Sequence, residues 1–278
     1  MVLQAQTTDR YVQEVLKETE QLLKIYGDSM IHGSTQGIRV FALTRFIPLF
    51  RSTLHYPEAF NYAFDSLPFL KKLMAPHRQF RIFTWAIPFN DGSFRHYGVI
   101  LRRHSKDSVQ VLPLYDHFSE LVDAHNILTA SVGRQQWPGA IYYDIRCFDS
   151  EAGKSYCLLL GWNGTSPHKL RRRIIEPIHW EGDTVVFGLP VLVDQRGVHM
   201  REMLEYHPTA TLTLRFDNKD GQPAIVFDHL VHQRIPTGED GFVPDGTYDY
   251  YILGNDGKWY KRAFFFGKGP TPSQSTGR

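Results

Sequence analysis

The sequence has few of the features that usually identify a protein's chemistry. Its 278 residues include only two cysteines, and acidic and basic side chains nearly cancel, which leaves a formal net charge of +2 at pH 7. The electrostatic field of a chain with so small a net charge favours no particular charged partner, and binding to nucleic acid is not expected. No run of about 18 apolar residues occurs, so the sequence predicts no membrane-spanning helix.

Recognised catalytic and cofactor motifs are missing as well. The sequence has no Gly-x-Ser-x-Gly, no phosphate-binding glycine loop, no dinucleotide fingerprint and no helical zinc-protease motif. Residues 217–221 resemble the start of a calcium loop, but Lys219 occupies a ligand position and Asp228 stands where a bidentate Glu is required. We therefore predict a β-turn at 217–221, and neither a cofactor nor a metal ion for the chain.

Asp-Gly and Asn-Gly pairs, by contrast, are frequent between short segments of alternating hydrophobicity. These residues tolerate the positive φ that tight hairpins need. Aromatic residues make up 14% of the chain, which is typical of strands with large inner faces. Together these features predict an antiparallel sheet of sequential hairpins over residues 78–266. The pairs are Asp91-Gly92, Asn163-Gly164, Asp220-Gly221 and Asp256-Gly257.

Residues 9–77 have apolar positions at helical spacing instead. We predict a first helix from an N-cap at Asp9 to Gly27-Asp28, and a second over 38–54 with a kink or break at Pro48. Part of this second run also fits a strand. A third helix is predicted over 57–74, ending before Pro76.

The predicted fold class is therefore α+β, with N-terminal helices packed on a mostly antiparallel β-meander that forms a sandwich or a partly open barrel. Residues 1–8 are interpreted either as the remnant of an export signal or as a disordered start. Residues 267–278, rich in Gly, Pro, Ser and Thr, are predicted to be a disordered tail.

The two cysteines flank one predicted hairpin loop. If that hairpin is symmetric about Ala152, Cys147 and Cys157 lie directly opposite each other. The same register pairs Ile145 with Leu159 and Tyr143 with Gly161. Such a pair can form a cross-strand disulfide in oxidising surroundings, and the alternative is two reduced cysteines that act as small core residues.

Asp228-His229 is the first candidate for acid–base chemistry. Neighbouring side chains of a strand point to opposite faces, so the two are not expected to contact each other. Asp228 and His232 share a face but lie about 13 Å apart at the rise of a strand. We interpret Asp228 as a strand-end residue that binds loop amides. The basic run Lys169–Arg173 is interpreted as a solvated edge strand protected by positive charge.

Several short sequence phrases stand in a distinctive order between residues 78 and 260. They are Phe80-Arg81-Ile82-Phe83-Thr84-Trp85, Asn90-Asp91-Gly92, Tyr97-Gly98, Leu158-Leu159-Leu160-Gly161-Trp162-Asn163-Gly164, Val186-Phe187-Gly188, Ile225-Val226-Phe227-Asp228-His229-Leu230 and Pro244-Asp245-Gly246-Thr247-Tyr248-Asp249. Their order resembles a family of uncharacterised proteins from Bacteroidota that usually carry export signals. The resemblance implies export to the periplasm or cell envelope, with a cytoplasmic location as the alternative. It supplies no activity and no catalytic residues, and the cysteines and the basic run depart from its pattern.

Three function classes fit these observations. The first, which we favour, is a non-catalytic cell-envelope or periplasmic binding module whose partner is an envelope protein, a glycan or a peptide. The second is a hydrolase whose site is assembled from loops, with Asp228, His229, Asp245 and Asp249 as the residues to test. The third is a structural component of an envelope assembly.

Overall fold

The N-terminal pattern of apolar residues forms a helical hairpin. In the computed structural model, helix α1 spans Val2–His32 and buries Val12, Leu16, Leu23 and Met30 along one face. The structure describes residues 2–149, 155–165, 170–235 and 238–263, and only the backbone of residues 2–9. The predicted tail at 267–278 therefore lies outside the described residues.

The predicted ends of the first helix were wrong. The helix begins before Asp9 and continues through Gly27 and Asp28 to His32. A Cβ atom on Gly27 would lie 2.2 Å from Cε1 of Phe69, so this glycine permits close packing of the helix and does not end it.

Helix α2 spans Gln36–Thr53, and Thr35 caps its N-terminus with a hydroxyl that accepts a hydrogen bond from the amide of Ile38 at 3.3 Å. Pro48 lies inside this helix without ending it, and the strand alternative for this run was wrong. The third predicted helix was also wrong. A short 3₁₀ helix, Pro57–Phe60, is followed by irregular chain in which Phe64 has a φ of 54°, a conformation that cannot continue a helix.

The rest of the described chain consists mainly of strands, with one further short helix, α3, at Phe118–Asp123 and a 3₁₀ helix at Arg134–Gln136. The strands are β1 Lys71–Met74, β2 Phe80–Pro88, β3 Phe94–Ser105, β4 Ser108–Leu114, β5 Val132–Gly133, β6 Ile141–Asp149, β7 Ser155–Asn163, β8 Arg171–Glu181, β9 Thr184–Phe187, β10 Leu192–Asp194, β11 Gly197–His199, β12 Glu202–Tyr206, β13 Leu214–Lys219, β14 Gln222–Arg234, β15 Asp240–Leu253 and β16 Trp259–Arg262.

These strands form three sheets. The helix-facing sheet has the order β1-β2-β3-β4, and the central sheet has the order β5-β9-β8-β7-β6 with β12 paired to β8. The outer sheet has the order β11-β10-β16-β15-β14-β13. Pairing is antiparallel except between β10 and β16. The α+β fold class is thus confirmed, and the sheets stack as a sandwich in which, over the described residues, none closes on itself.

Three apolar cores separate the four layers. The first lies between the helices and the helix-facing sheet, the second between that sheet and the central sheet, and the third between the central and outer sheets. Strand β7 contributes side chains to two of these cores. Its alternate residues Cys157 and Leu159 enter the second core, while Tyr156, Leu158 and Leu160 enter the third. A strand that is buried on both faces typically has a continuous run of apolar residues, as β7 has between its polar ends Ser155 and Asn163.

The hairpin at residues 90–92 follows the predicted register. Phe89 and Ser93 close a three-residue loop in which Gly92 has a φ of 78°. Trp85 pairs with Tyr97, and their rings stack with centroids 5.8 Å apart. The turn predicted at 217–221 is present only in part: Asp220 and Gly221 form it, with φ values of 53° and 86°, whereas residues 217–219 belong to β13.

The cysteine hairpin follows the prediction in part. Cys147 lies opposite Cys157, Ile145 lies opposite Leu159, and the two sulfurs are joined as a disulfide. The expected pairing of Tyr143 with Gly161 was wrong, because a bulge between residues 142 and 144 places Tyr142 there. The loop residues 150–154 lie outside the described part of the chain.

The basic run was misinterpreted. Strand β8 is not an edge strand, because it pairs with β7 on one side and with β9 and β12 on the other. Arg172 is buried and donates to Glu205 at 2.7 Å, and Arg173 donates to the Leu212 carbonyl at 2.9 Å. These guanidinium groups therefore join β8 to β12 and to the segment that precedes β13. Lys169 lies outside the described residues.

A buried ion pair lies in the same sheet. Arg201 and Glu176 are both fully buried, and Nε of Arg201 donates to the two carboxylate oxygens at 3.1 and 2.9 Å. Other guanidinium nitrogens donate to the carbonyls of Ile127 and Phe187. Burial raises the pKa of Glu176, and the charge of Arg201 opposes this.

Replacing Glu176 tests this pair. We expect Glu176→Ala to lower the free energy of unfolding by about 3–5 kcal/mol, because it leaves the Arg201 charge buried without its partner. Urea denaturation measures the change. The control is Asp183→Ala, which removes the exposed partner of Arg102 and should cost less than about 1 kcal/mol. Equal losses in the two variants would contradict the assigned role of the buried pair.

Candidate functional site

A cleft lies between β12, at the edge of the central sheet, and the long β14–β15 hairpin of the outer sheet. We refer to it as the β12 cleft. Its volume is about 580 Å³, within the range of roughly 300–1,000 Å³ that is common for ligand sites. It is lined by Asp194, Gln195, Arg196, Glu202, Met203, Leu204, Glu205, Phe227, Asp228, His229, Leu230, Phe242, Asp249, Lys261, Arg262 and Ala263.

Strands β14 and β15 bring an imidazole and a carboxylate together in this cleft. Between Asp228 and Leu230 the register of the β14–β15 pairing shifts, because β15 has three residues, Asp245 to Thr247, opposite the single residue His229. Its Nδ1 lies 2.9 Å from Oδ2 of Asp249 on β15. Asp249 is buried, whereas the side chain of His229 is 38% exposed. No described group hydrogen-bonds Nε2 of His229, so this nitrogen can bind a ligand.

Asp228 has a different partner. Its Oδ2 accepts the backbone amide of Thr213 at 2.6 Å, which agrees with the predicted role of binding a loop amide, although the residue lies within a strand and not at its end. Burial raises the pKa of Asp228, and the hydrogen bonds from Thr213 oppose this. The hydrogen bonds of Asp228 and His229 go to different partners, as expected for adjacent strand residues.

Asp245 does not line the cleft. It is exposed and accepts hydrogen bonds from the amide and hydroxyl of Thr247 at 2.9 and 2.7 Å. These bonds lower the pKa of Asp245, with a smaller effect from the nearby His229. Of the four residues named for testing, the structure therefore brings His229 and Asp249 into contact, places Asp228 beside them and leaves Asp245 in the bulge of β15.

A second polar network in the cleft was not found from the sequence. The carboxylate of Asp194 lies 2.6 Å from the guanidinium of Arg196 and 2.7 Å from the imidazole of His199. Burial by itself would raise the pKa of Asp194, but these partners outweigh it and lower the pKa to about 2. Glu202 accepts the hydroxyl of the buried Tyr251 at 2.6 Å. The only sequence signal for this network was the turn residues between β10 and β11, since its other members come from distant strands.

The cleft also contains a cation without a carboxylate partner. Lys261 lies over the ring of Phe227, with Nζ 5.2 Å from the centroid, and none of the described carboxylates pairs with it. Arg262, beside it, donates to the Lys261 carbonyl and lies over Tyr260. The acids of the cleft thus have protein partners, while Lys261 and His229 retain polar atoms for a ligand.

The described residues contain no group of three or more metal-ligating side chains arranged to hold a metal ion. None of the helices in the described part of the chain is long and apolar enough to cross a membrane.

Comparison with known proteins adds no family to these observations. No family model matches the chain, and a search of curated proteins found no significant similarity.

Proposed function

We propose that the protein is a non-catalytic binding module of the cell envelope, and that the β12 cleft is its ligand site. The observation that carries this proposal is the convergence of two sheets on one cleft of about 580 Å³ whose acids are already paired within the protein. Asp194, Glu202, Asp228 and Asp249 each accept a hydrogen bond from a neighbouring residue.

The remaining groups have the properties of a recognition surface. Lys261 and Nε2 of His229 are available as polar contacts, and Phe242 supplies an apolar side chain that is 42% exposed. A few polar groups placed among apolar ones are typical of ligand sites, where they fix the ligand's orientation.

A cleft variant with a matched control tests this proposal. Titration calorimetry is performed with the separated glycan and peptide fractions of a bacterial envelope digest. We expect one fraction to bind the unmodified protein, and Phe242→Ser to weaken that binding by removing an apolar contact. Phe41→Ser, at a 59% exposed position of α2, should leave it unchanged. Equal binding by both variants, or no binding of either fraction by the unmodified protein, would contradict the proposal and favour the structural-component alternative.

The second candidate function is a hydrolase, and the contact between His229 and Asp249 favours it. With Asp249 accepting the Nδ1 proton, Nε2 of the neutral imidazole is a base directed away from its partner. It would take a proton from water, whose oxygen forms a bond to an acyl carbon. The bond from that carbon to the leaving group then breaks, and the leaving group takes the proton from Nε2.

Turnover of chromogenic substrates tests the hydrolase candidate. With a panel of 4-nitrophenyl esters, 4-nitrophenyl phosphate and peptide anilides, we expect His229→Gln to lower kcat by about 100-fold or more, the usual contribution of a general base. Asp249→Asn should act in the same direction. The control His104→Gln changes an exposed histidine of β3. This candidate fails if the unmodified protein turns over none of the panel, or if the control loses activity equally.

The proposed function includes export of the protein to the cell envelope. It is supported by the resemblance to exported proteins and by the Cys147–Cys157 disulfide of the central sheet. Disulfides persist in oxidising compartments and are rare in the cytosol.

Alkylation of the cysteines in intact cells tests export. We expect the protein from its native cells, trapped with a maleimide before lysis, to gain no adduct by mass spectrometry until it is reduced. A copy expressed in a reducing cytosol is the control and should gain two adducts without reduction. Two adducts on the native protein before reduction would refute an oxidising location.

A further inference from the structure

We infer that the ligand of the β12 cleft is an extended polypeptide segment that adds as a strand to the free edge of β12. This inference rests on the proposed function, since it takes the cleft to be the ligand site. It adds the chemical class of the ligand and the backbone groups that bind it.

The residues that line the cleft show that β12 presents its edge to it. Four consecutive residues, Glu202 to Glu205, line the same cleft. Side chains of a strand alternate between its two faces, and here Met203 packs against the second core while Leu204 belongs to the third. Side chains on opposite faces can border one cavity only where the backbone edge between them faces that cavity.

That edge has no partner strand among the described residues. Strand β12 pairs with β8 alone. The amide of Met203 donates to Oε1 of Glu202, a side chain of its own strand, at 3.2 Å. A local carboxylate thus occupies the place of a neighbouring strand's carbonyl. Exposed edges of this kind are templates for pairing with another chain.

The residue that follows β12 already forms a backbone hydrogen bond with a strand of the outer sheet. The amide of His207 donates to the carbonyl of Phe242 on β15 at 2.9 Å. The backbones of the central and outer sheets therefore meet beside Tyr206, and the cleft begins where this backbone contact ends, along Glu202–Glu205. A guest strand would occupy this gap. Because β12 has five residues, it can pair with a segment of about five residues, or about 17 Å.

The outer sheet provides contacts for the side chains of the guest. Phe242 and the partly buried Leu230 form an apolar area, and Lys261 offers a positive charge without a described carboxylate partner. Since alternate side chains of a strand point the same way, the chemistry fits a segment with an apolar residue and an acidic residue on the face turned toward the outer sheet.

N-methylation of the guest backbone tests this mode of binding. Heptapeptides are selected from a random displayed library on the full protein, and the best binder is synthesised with each amide methylated in turn. Only alternate amides of a guest strand point toward β12. We therefore expect methylation at every second position to weaken binding by about tenfold or more, and methylation at the positions between them to have a smaller effect.

Hydrogen exchange locates the binding. The peptide should slow exchange at the Met203 and Glu205 amides, and Phe242→Ser should weaken binding while Phe41→Ser does not. Insensitivity to methylation, or tighter binding of an envelope glycan than of any selected peptide, would overturn the inference while the cleft remains a ligand site. If Phe242→Ser weakens the binding of no ligand and no ligand slows hydrogen exchange in the cleft, the proposed function itself fails.

Discussion

The burial of the central sheet on both faces is the constraint on which the rest of the structure depends. Strand β7 sends alternate side chains into two different cores, so no position between Tyr156 and Gly161 is free to be exposed. Charged residues of the neighbouring strand β8 must consequently find partners inside the protein. Glu176 pairs with Arg201, and Arg172 pairs with Glu205. These pairs connect β8 to segments more than 20 residues away in the sequence.

The same constraint places the cleft. Strand β12 pairs with only the first half of β8, because β9 occupies the second half. The central sheet therefore ends at β12 before it has covered the whole inner face of the outer sheet. The uncovered area of the outer sheet contains Phe242, Lys261 and the His229–Asp249 pair. A cleft at a sheet edge combines unpaired backbone groups with a surface for side chains, and this combination is what strand addition requires.

Binding and hydrolysis would use different parts of this cleft. The edge of β12 offers backbone groups that recognise any extended segment, whereas the imidazole of His229 acts at a single point. The acids distinguish the two functions further. Their hydrogen bonds to Thr213, Tyr251, Arg196 and His199 stabilise the walls of the cleft, and among these acids only Asp249 pairs with a histidine that lines the cleft. The geometry thus supports recognition more broadly than it supports chemistry.

Local sequence determined the elements whose shape depends on neighbouring residues. Asn90-Asp91-Gly92 specified a three-residue loop because Gly92 accepts a positive φ, and this loop set Trp85 opposite Tyr97. The spacing of Cys147 and Cys157 likewise determined their opposition across one hairpin. Only the tertiary structure decided the features that depend on distant pairing.

Long-range packing is the physical reason for several of the predictions that failed. Gly27 predicts the end of a helix unless the packing of Phe69 against it is known. Lys71–Met74 is predicted as helix unless its pairing with β2 is known. The contact between His229 and Asp249 depends on the register of two strands whose paired residues are up to 28 positions apart, Ala224 and Ile252 being the most distant. The expectation that the side chains of Asp228 and His229 do not contact each other was confirmed. Their hydrogen-bond partners could be identified only in the tertiary structure, because a strand's own sequence does not encode the register of its neighbour.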